Sequence, residues 1–432
     1  MNFLDELRRR GLLQDLSPGL GEHLAERLAA GEPVVAYIGF DPTAPSLTIG
    51  NYVPIMLLKL FQLAGHRPIM LFGGATGRIG DPSGKSAERQ LKSAEEIAAN
   101  LAAQRAQAER LLRRPEGRGD LHDVAFVDNY DFYRGYHVID FLREAGKTLT
   151  VNYMLAKDSV RSRLETGLSF TEFSYQLLQG YDFQCLYREY GCTLQMGGSD
   201  QWGNITAGAE FVRRNLGGKA YGLTAPLLTK ADGSKFGKSE AGNVWLDPER
   251  TSPYQFYQFW INADDRDLPR YVRTFSLLPP GEYDGLLAEA ETAPRLAKPR
   301  LAEELTARIH GEEALARARS VSQLLFGRAA DPEALRRLTP ADMRDVAAAI
   351  PTASVGRGIL GGGLPLVELL SEHTGLVGSK SEARRAVRAN AVSVNKAKVA
   401  DAEAVVTGGD LLHGRYLFLE NGRKNKLLVE AS

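Results

Sequence analysis

Two lysines, Lys235 and Lys238, stand three residues apart on a glycine-rich stretch of polar sequence. Lys230 precedes them and Ser239 follows them, within LLTKADGSKFGKSE. Two ammonium groups on one loop suit a polyphosphate that carries several negative charges, and a flexible loop can close over such a ligand after it binds. In isolation, the same pattern is also typical of a solvent-exposed run of charge.

A second polar element lies between an apolar run and a candidate helix. Asp41, Thr43 and Thr48 precede Gly50 and Asn51 in the stretch YIGFDPTAPSLTIGN. The pattern predicts a strand, a turn and a helix that begins near Gly50. Glycine lets a bulky ring lie against the backbone, and the N-terminus of a helix attracts phosphate. Turns of this kind are common, so the element alone is a weak indication of a nucleotide site.

The stretch GDPSGKS, residues 80–86, follows a candidate strand and resembles a phosphate-binding P-loop. That motif places four residues between its glycines. Here Gly80 and Gly84 are separated by three residues, so we do not expect a P-loop.

A third group of polar residues lies near the C-terminus on a predicted helix. Lys380, Arg384 and Arg388 recur every four residues, which places them on one helix face, and Arg385 lies beside them. Further positive charge follows in the tail at Arg423, Lys424 and Lys426. Basic groups on a small scaffold bind the phosphate backbone of a nucleic acid, although a solvated helix face shows the same spacing.

The elements that must position these residues alternate between strand and helix. Short apolar runs predict strands at 32–40, 67–72, 124–127 and 193–196, and longer amphipathic stretches predict helices at 47–63 and 86–114. Strands that alternate with helices favour an α/β domain with a Rossmann-like parallel sheet. In such a sheet, ligands bind where loops leave the carboxyl ends of the strands.

The sequence pattern changes along the chain and predicts several domains. We expect the parallel-sheet domain to span residues 1–225, with a helical insertion at about 131–159, and the paired lysines to occupy a loop at 226–250. A helical, tyrosine-rich domain is expected at 251–337. The prolines and glycines of 338–363 predict a linker, and residues 364–432 are expected to form a small α+β unit.

The composition limits the class of protein. The 432 residues include 53 basic and 53 acidic side chains, so any contact with nucleic acid must come from local patches. The N-terminus lacks the apolar core of a signal peptide, and no apolar run is long enough to span a membrane. Cys185 and Cys192 fit neither a disulfide framework nor a metal site, which favours the reducing cytoplasm.

Together these segments resemble the class I aminoacyl-tRNA synthetases, and in particular the bacterial tyrosyl enzymes. The turn before Gly50 matches the position of the HIGH motif, and residues 235–239 match the KMSKS motif in its KFGKS form. Similar stretches are GFDPTA (39–44), GGATGRIGDPSGK (73–85), QMGGSDQWGNITAG (195–208) and VWLDPERTSPYQFYQFWIN (244–262). The sequence departs from the family at Thr48 and Asn51, where histidines are usual.

The resemblance implies that the chain activates tyrosine with ATP and then transfers tyrosyl to the 3′-terminal adenosine of tRNA(Tyr). The catalytic side chains it implies are Thr43, Thr48, Lys85, Arg89, Lys235 and Lys238. The ATP contacts it implies are Asp41, Gly50, Asn51, Asp200, Lys235, Lys238 and Ser239. The tyrosine contacts it implies are Tyr37 and Asp182 for the phenol, Asp81, Tyr175, Gln179 and Gln201 for the ammonium, and Gln195 nearby. Magnesium is expected to accompany ATP without a dedicated protein site.

The resemblance also implies partners. The terminal unit is similar to an RNA-binding domain that a ribosomal small-subunit protein shares with bacterial tyrosyl enzymes. The tRNA contacts implied there are Lys380, Arg384, Arg385, Arg388 and Lys424, while the helical domain is expected near the anticodon. The family is homodimeric, and the insertion, with Phe132, Tyr133, Phe141 and Leu142, is the expected interface.

Three alternatives remain open. A tryptophanyl-type synthetase shares the nucleotide elements but normally lacks the pair Tyr37 and Asp182 and the terminal basic unit. A non-catalytic RNA-binding protein that retains the synthetase fold is favoured by Thr48 and disfavoured by the two loop lysines. A small-molecule adenylyltransferase has no need of the terminal unit.

Overall fold

The computed structural model describes residues 2–83, 92–164, 167–239, 242–327, 332–422 and 425–432 of the chain. The chain divides into two compact units, of which Met1–Arg250 with Ala263–Ala297 form the first and Thr251–Asn262 with Lys298–Ser432 form the second. Three residues with predicted roles, Lys85, Arg89 and Lys424, lie outside the described residues.

A five-stranded parallel sheet forms the centre of the first unit. Its strands are β1 (Val35–Phe40), β2 (Arg67–Phe72), β3 (Ala125–Asp128), β4 (Cys192–Gly198) and β5 (Tyr221–Ala225). They lie in the order β3-β2-β1-β4-β5, and every neighbouring pair is parallel. The predicted Rossmann-like sheet is therefore confirmed. The sequence does not predict β5, because YGLTA is short and contains few strand-favouring side chains.

Helices precede, connect and follow these strands. They are α1 (Phe3–Arg10), α2 (Leu20–Ala29), α3 (Ile49–Leu63), α4 (Ala94–Leu111), α5 (Tyr130–Tyr133), α6 (Val138–Glu144), α7 (Val151–Leu155), α8 (Asp158–Leu164), α9 (Phe170–Tyr190) and α10 (Trp202–Leu216). Helix α4 is shorter than the predicted helix 86–114. It begins after Ser93, whose hydroxyl accepts a hydrogen bond from the N–H of Glu96 at 3.1 Å and so caps the helix.

Helices α9 and α10 pack closely against each other and against the sheet. Tyr37 of β1 shares a buried cluster with Phe183 of α9 and Val212 of α10. A Cβ on Gly180 of α9 would lie 2.5 Å from the ring of Phe211 on α10. The missing side chain of Gly180 therefore permits the close approach that holds α9 in place beside the carboxyl ends of the strands.

The first unit continues beyond the predicted boundary at residue 251. Two short strands, β6 (Lys238–Ser239) and β7 (Gly242–Asn243), pair in antiparallel fashion, and the helices that follow are α11 (Pro253–Ile261), in the second unit, and α12 (Leu268–Phe275) and α13 (Pro280–Thr292), in the first. The rings of Phe275 and Tyr52 stack at 5.7 Å, and Arg10 donates to the carbonyl oxygen of Ser276 at 2.8 Å. A tyrosine-rich helical pattern does not reveal which surface its rings cover, so the sequence did not predict this division.

The second unit combines helices with a small sheet. Its further helices are α14 (Pro294–His310, which begins in the first unit), α15 (Glu312–Phe326), α16 (Pro332–Arg337), α17 (Pro340–Ala349), α18 (Arg357–Gly361), α19 (Leu366–Glu368) and α20 (Lys380–Arg388). Its strands are β8 (Thr352–Val355), β9 (Leu364–Pro365), β10 (Val392–Val394), β11 (Ala397–Lys398), β12 (Val405–Val406), β13 (Tyr416–Asn421) and β14 (Asn425–Ala431). Five of them form a sheet in the order β11-β10-β13-β14-β8, and β9 pairs with β12.

The segment 338–363, for which the sequence predicts a linker, is folded. The side chain of Thr339 accepts a hydrogen bond from the N–H of Asp342 at 3.2 Å, and Pro340 occupies the first turn of α17, where its missing N–H costs nothing. Strand β8 pairs in parallel with β14, and Val355 and Leu360 are buried in the terminal core. Proline and glycine therefore mark helix starts and turns in this segment. The small α+β unit that the sequence predicts at 364–432 begins before residue 364.

No helix in the part of the chain that the structure describes has both the length and the apolar character that crossing a bilayer requires.

Candidate functional site

A cavity of about 270 Å³ opens at the carboxyl ends of β1 and β4. The direction in which the chain adds strands reverses between these two neighbours, which is where open α/β sheets bind ligands. Many of the predicted site residues line this cavity: Tyr37, Asp41, Thr43, Asn51, Asp81, Tyr175, Gln179, Asp182, Gln195 and Gln201. Other predicted residues that the structure describes in this unit are not part of the lining: Thr48, Gly50, Asp200, Lys235 and Lys238.

One end of the cavity holds a buried hydroxyl and a buried carboxylate. Tyr37 and Asp182 are 1% and 2% exposed. The Tyr37 hydroxyl makes no hydrogen bond to any residue that the structure describes. Burial raises the pKa of Asp182 to about 7. Burial and the charge of Asp182 together raise the pKa of Tyr37. A hydroxyl donor beside an acceptor suits a ligand that itself carries a hydroxyl group.

A chain of hydrogen bonds runs from this end of the cavity to the turn after β1. Asp182 Oδ2 accepts from Asn129 Nδ2 at 2.9 Å, and the same nitrogen donates to Thr76 Oγ1 at 3.0 Å. Thr76 donates to Asp41 Oδ1 at 2.7 Å, and the Tyr175 hydroxyl donates to Asp41 Oδ2 at 2.9 Å. Both protons of the Asn129 amide are thereby used, which fixes its orientation.

Two glycines after β2 make room for carboxylates at the ends of the neighbouring strands β1 and β3. A Cβ on Gly73 would stand 2.0 Å from Asp41 Oδ1, and a Cβ on Gly74 would stand 2.1 Å from Asp128 Oδ1. Neither distance is physically possible, so only glycine allows the backbone to approach these carboxylates so closely.

Polar groups suited to an ammonium group lie elsewhere in the cavity wall. Gln201 Nε2 donates to Asp81 Oδ2 at 2.8 Å, and Asn204 Nδ2 donates to Gln201 Oε1 at 3.2 Å. The amide oxygens of Gln179 and Gln195 are buried and accept no hydrogen bond from the described residues. A carboxylate together with unsatisfied amide oxygens favours a ligand that donates several hydrogen bonds.

The loop with the paired lysines lies against the start of α3. A Cβ on Gly237, whose φ is +87°, would stand 3.2 Å from the backbone nitrogen of Gly50. The N–H of Val244 donates to the Gly237 carbonyl at 3.0 Å. Lys235 and Lys238 are exposed on either side of this contact. Both ammonium groups are thus carried by backbone that touches the helix start beside the cavity.

The sequence did not identify Thr76, Asn129 or the role of Tyr133. Asn129 follows β3 directly, so its place at the carboxyl end of a parallel strand is the signal that could have found it. Tyr133, expected at a subunit interface, donates its hydroxyl to Asp182 Oδ1 at 2.7 Å. The ring of Tyr133, on the short helix α5, packs against the ring of Tyr181 on α9. The sequence does not show that contact.

Helix α20 of the second unit carries the predicted RNA-binding residues. The side chains of Arg384, Arg385 and Arg388 are exposed. Lys380 differs from them, because its Nζ lies 2.8 Å from Glu368 and 3.2 Å from Glu372. These carboxylates offset its charge.

Lys426, which the sequence placed among the positive charges of the C-terminal tail, contributes little charge to the surface. Lys426 of β14 turns inward and donates to the carbonyl oxygen of Leu325 at the end of α15, while Glu420 lies 3.8 Å away. Burial lowers the pKa of Lys426. The Lys426 ammonium group therefore stabilises the C-terminal end of α15 and does not face the solvent.

The insertion between β3 and α9 presents a different apolar surface from the one expected. Phe132, Tyr133 and Phe141 are partly buried and pack against the α9 cluster. Leu142 is 49% exposed, and exposed apolar side chains also include Val138, Ile139 and Val151.

The cysteines and the acidic residues provide no metal site among the residues that the structure describes, since no three His, Cys, Asp or Glu side chains there are arranged to hold an ion. Cys185 and Cys192 are buried free thiols. Burial raises the pKa of Cys185 to about 12, and it raises the pKa of Cys192 as well.

Comparison with known proteins adds to this geometry. Residues 29–327 match a family model described as class I tRNA synthetases (W and Y), and residues 342–429 match a model of the tyrosine–tRNA ligase SYY-like C-terminal domain. A tyrosine–tRNA ligase of Porphyromonas gingivalis is 50% identical over 436 residues, which cover 99% of each chain. One of Bacteroides fragilis is 49% identical over 438 residues, which cover 100% of each chain.

A solved structure shares the architecture of three quarters of the chain. The crystal structure of a C-terminally truncated mitochondrial tyrosyl-tRNA synthetase of Aspergillus nidulans is 30% identical, with a TM-score of 0.66 over 75% of this chain and 94% of that one. From the family models, the full-length relatives and the shared fold, we conclude that the chain belongs to the tyrosine–tRNA ligase family of class I aminoacyl-tRNA synthetases.

Proposed function

We propose that the cavity at the ends of β1 and β4 binds tyrosine and ATP, forms tyrosyl-adenylate and pyrophosphate, and then transfers tyrosyl to tRNA(Tyr). The observation that carries this proposal is the unpartnered Tyr37 hydroxyl beside the buried Asp182 carboxylate in the same cavity wall. That pair suits a phenol, and the loop of Lys235 and Lys238 suits a triphosphate.

The chemistry needs no base, because the carboxylate of tyrosine is already ionised at neutral pH. It attacks the α-phosphorus of ATP and displaces pyrophosphate. Catalysis then rests on positioning the two substrates and on stabilising the negative charge that develops on the phosphates. Lys235 and Lys238 are suited to this task, because both are exposed and their loop contacts the start of α3.

The side chains around the turn after β1 would hold the nucleotide. Asp41, Thr43 and Asn51 line the cavity there, and Gly50 is covered by the loop. We assign Thr48, Asp200 and Ser239 to the same group on resemblance alone, together with Lys85 and Arg89. Magnesium would arrive with ATP, held by phosphate oxygens and water.

Tyrosine would lie with its phenol between Tyr37 and Asp182. Its ammonium would face Asp81, Tyr175, Gln179 and Gln201, with Gln195 nearby. Phenylalanine would leave the buried Tyr37 hydroxyl without a partner and would donate no hydrogen bond to Asp182, a kind of discrimination for which tyrosyl-tRNA synthetases are a known example.

The second unit would bind the tRNA. Exposed Arg384, Arg385 and Arg388 on α20 are suited to the phosphate backbone, with Lys424 assigned on resemblance. Lys380 would contribute less, because Glu368 and Glu372 already pair with it. The helical part of the second unit would approach the anticodon. The substrates, tRNA and ATP, favour a cytoplasmic location.

The active form would be a homodimer. Leu142, Val138, Ile139 and Val151 expose apolar surface on the insertion, and burying such surface is favourable. A two-fold contact that uses the same patch on both copies is the usual arrangement. Light scattering should show twice the chain mass at micromolar concentration, and a monomer there would contradict the proposal.

Pyrophosphate exchange with each amino acid in turn tests the proposed reaction. Tyrosine should support exchange of labelled pyrophosphate into ATP, and tryptophan should not. Exchange driven by tryptophan would favour the tryptophanyl-type alternative. Absence of exchange with every amino acid would favour the non-catalytic alternative.

A further inference from the structure

Tyr133 lies outside the cavity wall but touches the carboxylate on which tyrosine selection is proposed to depend. It is the last residue of α5 and is not part of the cavity lining. Its ring lies 5.6 Å from that of Tyr181 and 6.2 Å from that of Phe141. Packing thus fixes the ring and directs its hydroxyl at Asp182 Oδ1, 2.7 Å away.

The Tyr133 hydroxyl faces two acceptors and has one proton to give. The carbonyl oxygen of Leu178 lies 2.9 Å away, and it also lies inside α9, where helix geometry supplies its own donor. A carboxylate is a stronger acceptor than a carbonyl group. The hydroxyl therefore donates to Asp182 whenever Asp182 is charged.

The two oxygens of Asp182 are held by different donors. Asn129 occupies Oδ2 at 2.9 Å and Tyr133 occupies Oδ1. A buried carboxylate is costly unless such donors satisfy it. With each oxygen bonded once by the protein, the carboxylate has a fixed orientation and keeps lone pairs for a hydroxyl in the cavity.

The electrostatic surroundings of Asp182 also indicate that Tyr133 stabilises the charged form of this carboxylate. Burial raises its pKa to about 7, while the hydrogen bonds from Asn129 and Tyr133 act to lower it. The titratable groups that face it are Tyr37, Asp41, Asp128, Tyr133, Tyr175 and Cys185. Burial raises the pKa of each of these tyrosines and of the thiol, so they stay neutral near pH 7. Loss of the Tyr133 hydroxyl would raise the pKa of Asp182 further.

We propose that Tyr133 is a positioning residue for the selection of tyrosine, because its hydroxyl holds the Asp182 carboxylate charged and oriented toward the cavity. The inference rests on the proposed function and adds to it a residue that does not touch the substrate.

The variant Tyr133→Phe removes the hydroxyl and keeps the ring. In pyrophosphate exchange, the ratio of kcat/KM for tyrosine to kcat/KM for phenylalanine should fall roughly ten-fold, the size of one hydrogen bond to a charged group. The acid limb of kcat/KM for tyrosine should move to higher pH. The ratio is independent of the fraction of folded protein, so a less stable variant still gives an answer.

Tyr136→Phe is the matched control. The Tyr136 hydroxyl donates a hydrogen bond to Glu144 Oε2 at 2.5 Å and not to Asp182. Its ring stacks on the same Tyr181, with the ring centroids 5.5 Å apart. This variant should keep the wild-type ratio and pH profile.

A second comparison separates a positioning role from a structural one. In the Asp182→Asn background, Tyr133→Phe should have little additional effect, because the group through which Tyr133 acts is gone. Unchanged selectivity and an unchanged acid limb in Tyr133→Phe would overturn the inference while leaving the proposed function intact. If the wild-type chain shows no tyrosine-dependent exchange, the proposed function itself fails.

Discussion

The N–H and the hydroxyl of Thr48 both donate to Oδ1 of Asn51, at 2.9 and 2.8 Å. Because a backbone N–H can only donate, the atom that it meets must be the amide oxygen. The pair caps α3 and leaves Nδ2 of Asn51 as the donor that this side chain offers to the cavity. At the two positions where the HIGH motif has histidines, this chain therefore carries residues that orient each other.

Replacement of Thr48 tests that relationship. Thr48→Ala should raise the KM for ATP several-fold with little change in the KM for tyrosine, because the Asn51 amide loses a hydrogen bond worth about 1 kcal/mol. Thr48→Ser keeps the hydroxyl and should behave like the wild type. Equal changes in both KM values would contradict a role at the nucleotide.

The pH dependence of tyrosine activation should report Asp182. Its pKa is raised to about 7 by burial, and a charged carboxylate is the better acceptor for a phenol hydroxyl. On the acid side the group is protonated, so kcat/KM for tyrosine should rise with pH through the pKa and be about one-tenth of its plateau one pH unit below it. The kcat/KM for ATP at saturating tyrosine serves as the control and should lack this limb. A flat tyrosine profile from pH 5.5 to 8 would contradict the assignment.

The paired lysines should act on the transition state rather than on tyrosine binding. Lys235→Ala should slow adenylate formation in single-turnover experiments by roughly a hundred-fold, as expected for removal of one group that stabilises developing charge, and should leave the Kd for tyrosine unchanged. Lys398→Ala, an exposed lysine of the second unit, is the control. Equal losses in rate and in tyrosine affinity would remove Lys235 from this role.

The arginines of α20 should determine how salt affects tRNA binding. Arg384→Ala should weaken tRNA binding and reduce the slope of log K against log salt by about 1, with pyrophosphate exchange unchanged. Lys380→Ala should have a smaller effect, because Glu368 and Glu372 already lie beside this lysine. If Lys380→Ala proved the more damaging of the two, the assignment of the binding face would be wrong.

The parallel sheet could be predicted because its strands are short apolar runs that alternate with helices. The polar residues of the cavity could be predicted in part because Asp41 and Gln195 lie on or just after such runs. The contact of Tyr133 with Asp182 could not be predicted, because it arises only through the packing of α5 against α9. Sequence spacing carries no information about contacts between residues so far apart.

Side-chain pairing in the second unit was hidden for a similar reason. Lys380 shares a predicted helix face with Arg384, yet only the fold shows that Glu368 and Glu372 reach it. Lys426 looked like surface charge, but β14 brings it to the end of α15. Pro340 suggested a linker and instead begins a helix, because proline is as favourable at a helix start as it is in a loop.

The central claim is that this cavity selects tyrosine through Asp182. Tyrosine-dependent pyrophosphate exchange by Asp182→Ala, compared with the wild type, tests it most directly, with thermal melting and ATP binding as controls for an intact fold. The account predicts that kcat/KM for tyrosine falls by about a hundred-fold or more, because the phenol loses its charged acceptor and Tyr133 and Asn129 lose theirs. Near-normal exchange by a folded, ATP-binding variant would contradict it.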